Sequence, residues 1–153
     1  MKLWLAGLGL AAMMGGAAFH EAGAQTDLAR VVQERRDGLK AVGVIFTAVG
    51  DAARAGSDPR PLAPRIAEVE AFFVNFGARF PAGTQQGAPG LDTRALPAIW
   101  TDRTGFDRAE AALPARLATL REAAASGNVA AFQAATQQAG AACGDCHRPY
   151  RAR

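Results

Sequence analysis

Cysteine is scarce, with two in 153 residues, so a small fold stapled by disulfides is excluded and the two thiols act as a pair or not at all. Long hydrophobic runs are equally few. The longest lies at the extreme N-terminus, which excludes a polytopic membrane protein. No block of one charge occurs either: 17 Lys and Arg face 14 Asp and Glu, nearly all the bases are arginine, and the diffuse +3 balance implies no nucleic acid partner. No stretch alternates polar and apolar residues with period two, so strands are not expected. What remains is 50% hydrophobic and 20% charged, the composition of one globular domain and not of a disordered or fibrous chain.

Met1 and Lys2 precede an apolar stretch from Leu3 to Ala18, and Ala22-Gly23-Ala24 supplies the small-x-small pattern that a signal peptidase accepts. Residues 1–24 are therefore expected to be a signal peptide cleaved before Gln25, with export to the periplasm and no membrane attachment afterwards. A retained anchor is the alternative, and the stretch is short for a span of about 20 residues. Cleavage would remove His20, Met1, Met13 and Met14, leaving His147 as the sole imidazole and no methionine.

Four helical stripes follow. Leu28, Val32, Arg35, Leu39, Val42, Phe46 and Val49 recur at steps of four and three, as do Leu62, Ile66, Val69, Phe73, Phe76 and Phe80 after Asp58 and its prolines. The second run should stop at Phe80-Pro81, with Gly77 weakening its last turn. A third, entered through Thr101 to Thr104, carries Phe106, Ala109, Leu113, Leu117, Leu120 and Ala124, should kink at Pro114, and ends at Ser126-Gly127. Asn128 then caps a fourth, with Val129, Phe132, Thr136, Ala139, Cys143, Cys146 and Tyr150 on its inner face. The expected fold is all-α, an antiparallel four-helix bundle over residues 25–153 with one long connection, 81–97, between the second and third helices.

Cys143-Gly144-Asp145-Cys146-His147 is C-x-x-C-H, the attachment signal for c-type haem, in which two thiols add to the haem vinyl groups and the imidazole binds iron. Cysteines three apart on a helix face one side and can grip one porphyrin edge. Three other readings compete. A thioredoxin-like pair belongs at a helix start after a strand, whereas this one ends a helix. A zinc site would be one ligand short, and a disulfide between helical positions three apart is poorly aligned.

With no second histidine and no methionine after cleavage, a haem iron here is expected to be five-coordinate. Arg35 on the inner stripe needs an anion, and a haem propionate would be that anion; otherwise it reaches solvent from the bundle rim. Leu39, one turn on, is the candidate for the residue covering the open iron face. Arg151, four residues after His147, would fold back over the histidine on a continuing helix, or else belongs to a frayed basic terminus with Arg148 and Arg153. Trp100 is read as a packing anchor, and Lys40, off the stripe, is not taken as an iron ligand.

The chain resembles cytochrome c′, the class II c-type cytochromes, over nearly all of residues 25–153. The resemblance is carried by Arg35 with Leu39, Phe80-Pro81-Ala82-Gly83-Thr84, Thr93-Arg94-Ala95-Leu96-Pro97-Ala98-Ile99-Trp100, and Cys143 to His147 followed by Tyr150-Arg151. It implies that Arg35 and Arg36 lie by the propionates, that Thr93 and Arg94 approach the same edge, and that Arg151 stands on the proximal side. The family often has glutamine where this chain has Arg36. A low-spin branch carries methionine at the position of Leu39, so leucine points to the high-spin branch. The resemblance further implies a periplasmic protein with one haem c, often a homodimer, that binds nitric oxide and carbon monoxide.

The leading functional expectation is thus a haem protein that binds small diatomic gases and carries single electrons, and not an enzyme. The alternatives are a dedicated one-electron cytochrome with a periplasmic redox partner, and a peroxidase-like enzyme. The last is disfavoured because no second histidine is present for general acid-base work and arginine stays protonated.

Overall fold

The computed structural model describes residues 16–153, with side chains from residue 25 onward. The signal peptide expected over 1–24 falls outside the described residues up to residue 15, and the rest of it continues the backbone of the first helix. Among the described residues there is no strand, only one isolated antiparallel bridge between Ala95 and Arg151.

Helix α1 spans Gly16–Ala55. The chain leaves it through Gly56, whose φ of 63° suits glycine. After a single 3-10 turn at Arg60–Leu62 comes α2, Ala63–Phe73, which buries Ile66 and Val69. Here the structure corrects the sequence expectation, because α2 stops seven residues before Phe80. Val74 is extended and Asn75 adopts a left-handed conformation (φ 53°), which asparagine tolerates better than most side chains. A 3-10 segment, Phe76–Arg79, follows, and its steps of three and four keep Phe76 and Phe80 inward although the helix has ended.

The third expected helix is also in pieces. A one-turn α3, Ala98–Thr101, leads into α4, Arg103–Ala111, capped by the Asp102 carboxylate accepting from the Gly105 amide at 3.1 Å. The chain breaks at Ala112 and resumes as α5, Leu113–Ser126, with Pro114 in its first turn, where proline is tolerated. Gly127 (φ 72°) ends α5, and the Asn128 side chain accepts from the Ala131 amide at 3.0 Å to start α6, Val129–Tyr150.

With α4 and α5 as one arm, the elements form a four-helix bundle whose interior holds two apolar clusters. The larger joins α1, α2, α5 and α6 through Val49, Ile66, Leu117, Leu120 and Phe132, and Cys143 packs against it. The smaller is aromatic, built on Phe76, Phe80, Ile99, Phe106 and Tyr150, and Cys146 packs against that one. Fully burying residues such as Phe106 and Phe132 stabilises the fold by about 1.5–3 kcal/mol each.

Candidate functional site

Between these clusters lies a cavity of about 630 Å³, inside the roughly 300–1,000 Å³ range of ligand pockets. From α6 it receives Cys143, Cys146 and His147; from α1, Arg35, Arg36 and Leu39; from the long connection, Thr93 and Arg94; and from the C-terminus, Arg151. Every site residue singled out in the sequence lines this one space.

The electrostatics separate the readings of C-x-x-C. Burial pushes both thiols above their ordinary pKa, and for Cys146 the neighbouring Cys143 and Glu110 push further the same way. These are neutral thiols at the end of a long helix, the reverse of thiolates activated at a helix start. Both are free, and among the described residues no group of three or more His, Cys, Asp or Glu is placed to hold a metal ion. Burial, and next Arg151, hold the His147 imidazole below its usual pKa and so favour the neutral form that can donate to a metal.

Arg35 is 3% exposed, so it does not reach solvent from a rim. Its guanidinium donates to the Arg79 carbonyl and to Thr93 Oγ1, both at 2.8 Å, and at longer range to Thr84 Oγ1 (3.3 Å) and the Thr84 carbonyl (3.4 Å). It also stacks 4.3 Å from the centre of the Phe80 ring. All these partners are neutral, and desolvation draws the group down to about pKa 10. A buried cation held by neutral acceptors at the wall of a cavity is an unmatched charge, and an anionic group entering that cavity would match it. Two thiols and an imidazole on α6, apolar walls from Leu39, Phe73, Phe76 and Phe80, and this cation together fit a covalently attached haem with its propionates.

Arg36 is engaged otherwise, donating to the Asp92 carbonyl at 3.0 Å and pairing with its carboxylate at 2.6 Å. Thr93 is buried, and its hydroxyl accepts from both Arg35 and the Ala95 amide. Arg94 is exposed, while its backbone carbonyl accepts from the Ala152 amide at 2.9 Å. Arg151 departs from both expectations: α6 ends at Tyr150, and Arg151 is extended (φ −130°, ψ 127°). Nor is it frayed, because the Ala95 bridge and the Leu96 amide donating to the Tyr150 carbonyl at 3.0 Å tie the terminus to the long connection. The Arg151 amide still donates to the His147 carbonyl at 3.1 Å, the last helical bond of α6, before the backbone turns extended. Trp100 does anchor packing, donating from Nε1 to the Phe80 carbonyl at 3.1 Å.

Sequence reasoning missed several lining residues. Phe73, Phe76 and Phe80 were read only as core; their signal was that four of the eight phenylalanines fall between 72 and 80. Lys40, set aside as an iron ligand, does line the cavity. Glu110, also lining it, accepts from the Gly77 amide at 2.9 Å, and no sequence pattern marked it.

A family model described as cytochrome c′ matches residues 30–151. Cytochrome c-554 of Cereibacter sphaeroides is 39% identical over 72 residues, which cover 47% of this chain and 46% of that protein. The chain thus spans about half the length of the curated relatives it matches. The crystal structure of cytochrome c′ from Rubrivivax gelatinosus superposes with a TM-score of 0.72 at 27% identity, covering 82% of this chain and 97% of that one. A variant of cytochrome c′ from Alcaligenes xylosoxidans solved with carbon monoxide bound shares the fold, with a TM-score of 0.69 at 23% identity over 80% of this chain and 94% of that one. Another variant from the same organism, solved as a nitric oxide complex, gives 0.68 at 24% with the same coverage.

Proposed function

The chain belongs to the cytochrome c′ family, whose members carry covalent haem c, and from that premise we propose that it is an exported periplasmic protein that takes up nitric oxide and carbon monoxide at a five-coordinate iron. Cys143 and Cys146 would hold the haem through thioethers and His147 would bind its iron. When bound, the haem supplies an iron centre that accepts an electron or a small neutral ligand. The observation that carries this reading is the single cavity lined by those three residues, by the charge-unmatched Arg35 and by Leu39.

The protein's own part is to hold and to exclude. Arg35, fixed by Thr84, Thr93 and the Arg79 carbonyl, would hold a positive charge at the cavity wall to balance a propionate. Leu39 and the Phe76 and Phe80 rings give neutral diatomics an apolar path and offer hydrated or charged ligands nothing to bind. General acid-base work finds poor support, since His147 would be taken up by the iron, the Glu110 carboxylate is already an acceptor for Gly77, and Arg35 stays protonated at neutral pH. The protein is accordingly read as a binding protein and not an enzyme. No helix among the described residues is long and apolar enough to cross a membrane.

Electron transfer is the second reading, favoured by Lys40, Arg94 and Arg151, which line the cavity exposed and make no ion pair among the described residues. An anionic redox partner would dock there. Homodimerisation is also proposed, with Val44 on α1 (59% exposed) and Val74 after α2 (65%) as contact points. The test of the main reading is spectroscopic and kinetic. The purified exported protein should give a c-type pyridine haemochrome and a high-spin ferric spectrum, and Leu39→Ala should speed carbon monoxide binding. A low-spin six-coordinate spectrum at neutral pH, or an unchanged association rate, would remove the open iron face or Leu39's part in it.

A further inference from the structure

Helices α1 and α2 meet at a point that leaves no room for a side chain. A Cβ placed on Gly38 would lie 2.0 Å from Phe72 Cε2, 2.6 Å from Cζ and 2.8 Å from Cδ2, far inside any contact distance. Gly38 sits in the body of α1 without a positive φ, so what requires glycine there is proximity. Glycine weakens a helix interior relative to alanine, and the close approach of the ring compensates.

Phe72 is half-buried and has three neighbours besides Gly38. It meets Phe73 edge-on at 5.3 Å between ring centres and Phe76 at 5.6 Å, and the Arg79 guanidinium lies 4.7 Å over its ring. Phe73 and Phe76 line the cavity, whereas Phe72 stands behind them. On the α1 side, the residue after Gly38 is Leu39, which lines the same cavity and packs in the same aromatic cluster as Phe72. The Phe72 ring is therefore a wedge between the Gly38 backbone and the aromatic wall.

We propose that the close approach of Gly38 to Phe72 sets how far Leu39 projects into the cavity, and so sets the clearance that an incoming diatomic ligand meets. This rests on the reading of Leu39 as the residue covering the open iron face. Gly38 and Phe72 are positioning residues: neither needs to touch the ligand. Swinging the ring away from a methyl group at position 38 would give up its contacts with Phe73, Phe76 and Arg79. The relief that keeps them is a movement of α1 away from α2, which withdraws Leu39. Removing the ring has the opposite effect, letting α1 settle and Leu39 advance.

The experiment is flash photolysis of the ferrous carbon monoxide complex of the holo-protein, with crystal structures of the variants. Gly38→Ala should raise the association rate at least about fivefold, Phe72→Val should lower it at least about threefold, and Gly38→Ala with Phe72→Val should return it to within about twofold of the parent. Such compensation is not expected from mere loss of stability, which the single variants share. In the crystal, Gly38→Ala should move the α1 backbone at residue 38 away from α2; an unmoved α1 overturns the proposal. If both single variants bind at the parental rate while Leu39→Ala binds faster, this proposal fails and the gas-binding reading stands. If Leu39→Ala is unchanged as well, the reading of Leu39 as the cover of the open iron face fails with the proposal. Should Gly38→Ala not accumulate as folded holo-protein, Phe72→Val alone decides, and a parental rate there refutes the wedge.

Discussion

Replacing Arg35 with methionine removes a buried charge while keeping an unbranched stem, so it isolates what the guanidinium contributes. Its two 2.8 Å bonds, to the Arg79 carbonyl and Thr93 Oγ1, are charge-assisted and stabilise by about 1.5–3 kcal/mol each. The longer bonds to Thr84 and the stacking on Phe80 add about 2 kcal/mol together. Against these stands desolvation, which draws the pKa from the ordinary arginine range to about 10 and so costs the charged form about 3 kcal/mol. The balance is a loss of about 2–5 kcal/mol in Arg35→Met, or roughly 10 °C in melting temperature for a domain of this size. Arg35→Lys should lose nearly as much, because a point charge on a flexible stem cannot serve Thr84, Thr93 and the Arg79 carbonyl at once. Urea unfolding of the ferric holo-protein at pH 7, followed by far-ultraviolet circular dichroism and haem absorbance, measures both. A loss below about 1 kcal/mol in Arg35→Met would refute the reasoning, since it would mean that desolvation cancels the whole bonding network.

Three further outcomes are expected. The Tyr150 hydroxyl donates to the Asp102 carboxylate at 2.7 Å, and that bond first, then burial, raises its pKa. The folded state therefore holds this proton more tightly, and the stability it contributes is full below the ordinary tyrosine pKa and lost as pH rises through the raised one. Tyr150→Phe should flatten this alkaline decline in a series of unfolding curves, and an identical slope would dismiss the assignment. Asn128→Ala should destabilise by about 1 kcal/mol through loss of the α6 cap, read as a lower urea midpoint with unchanged slope. Phe132→Ala, at a fully buried position of the larger cluster, should lose about 3–5 kcal/mol by calorimetry, and a loss under 1 kcal/mol would contradict its place in the core.

The helical stripes were legible because burial imposes a period on sequence. Val32, Val49, Ile66, Leu117 and Phe132 sit in the core as their spacing required. Helix ends were legible only where one residue controls them, as at Gly127 and Asn128. The end of α2 was not, because the run through Phe76 and Phe80 keeps its inward spacing across a left-handed Asn75 and a 3-10 turn, and periodicity does not distinguish a continuing helix from one that has broken and resumed. The fate of Arg151 was not legible either. It depends on backbone pairing with Ala95, 56 positions away in the chain, for which no local pattern exists.

Sequence by itself determined the chemistry at one end of the molecule. Two cysteines three apart with histidine adjacent lie on one helical face by geometry alone, and the shortage of other histidines and methionines limits what else could bind a metal. Tertiary structure alone decided that Arg35 is sealed from solvent by Thr84, Thr93 and Phe80, that Glu110 reaches Gly77, and that Phe72 rests on Gly38. Those facts depend on how far apart two helices stand, a distance set by the joint packing of side chains from many segments and written in no one of them.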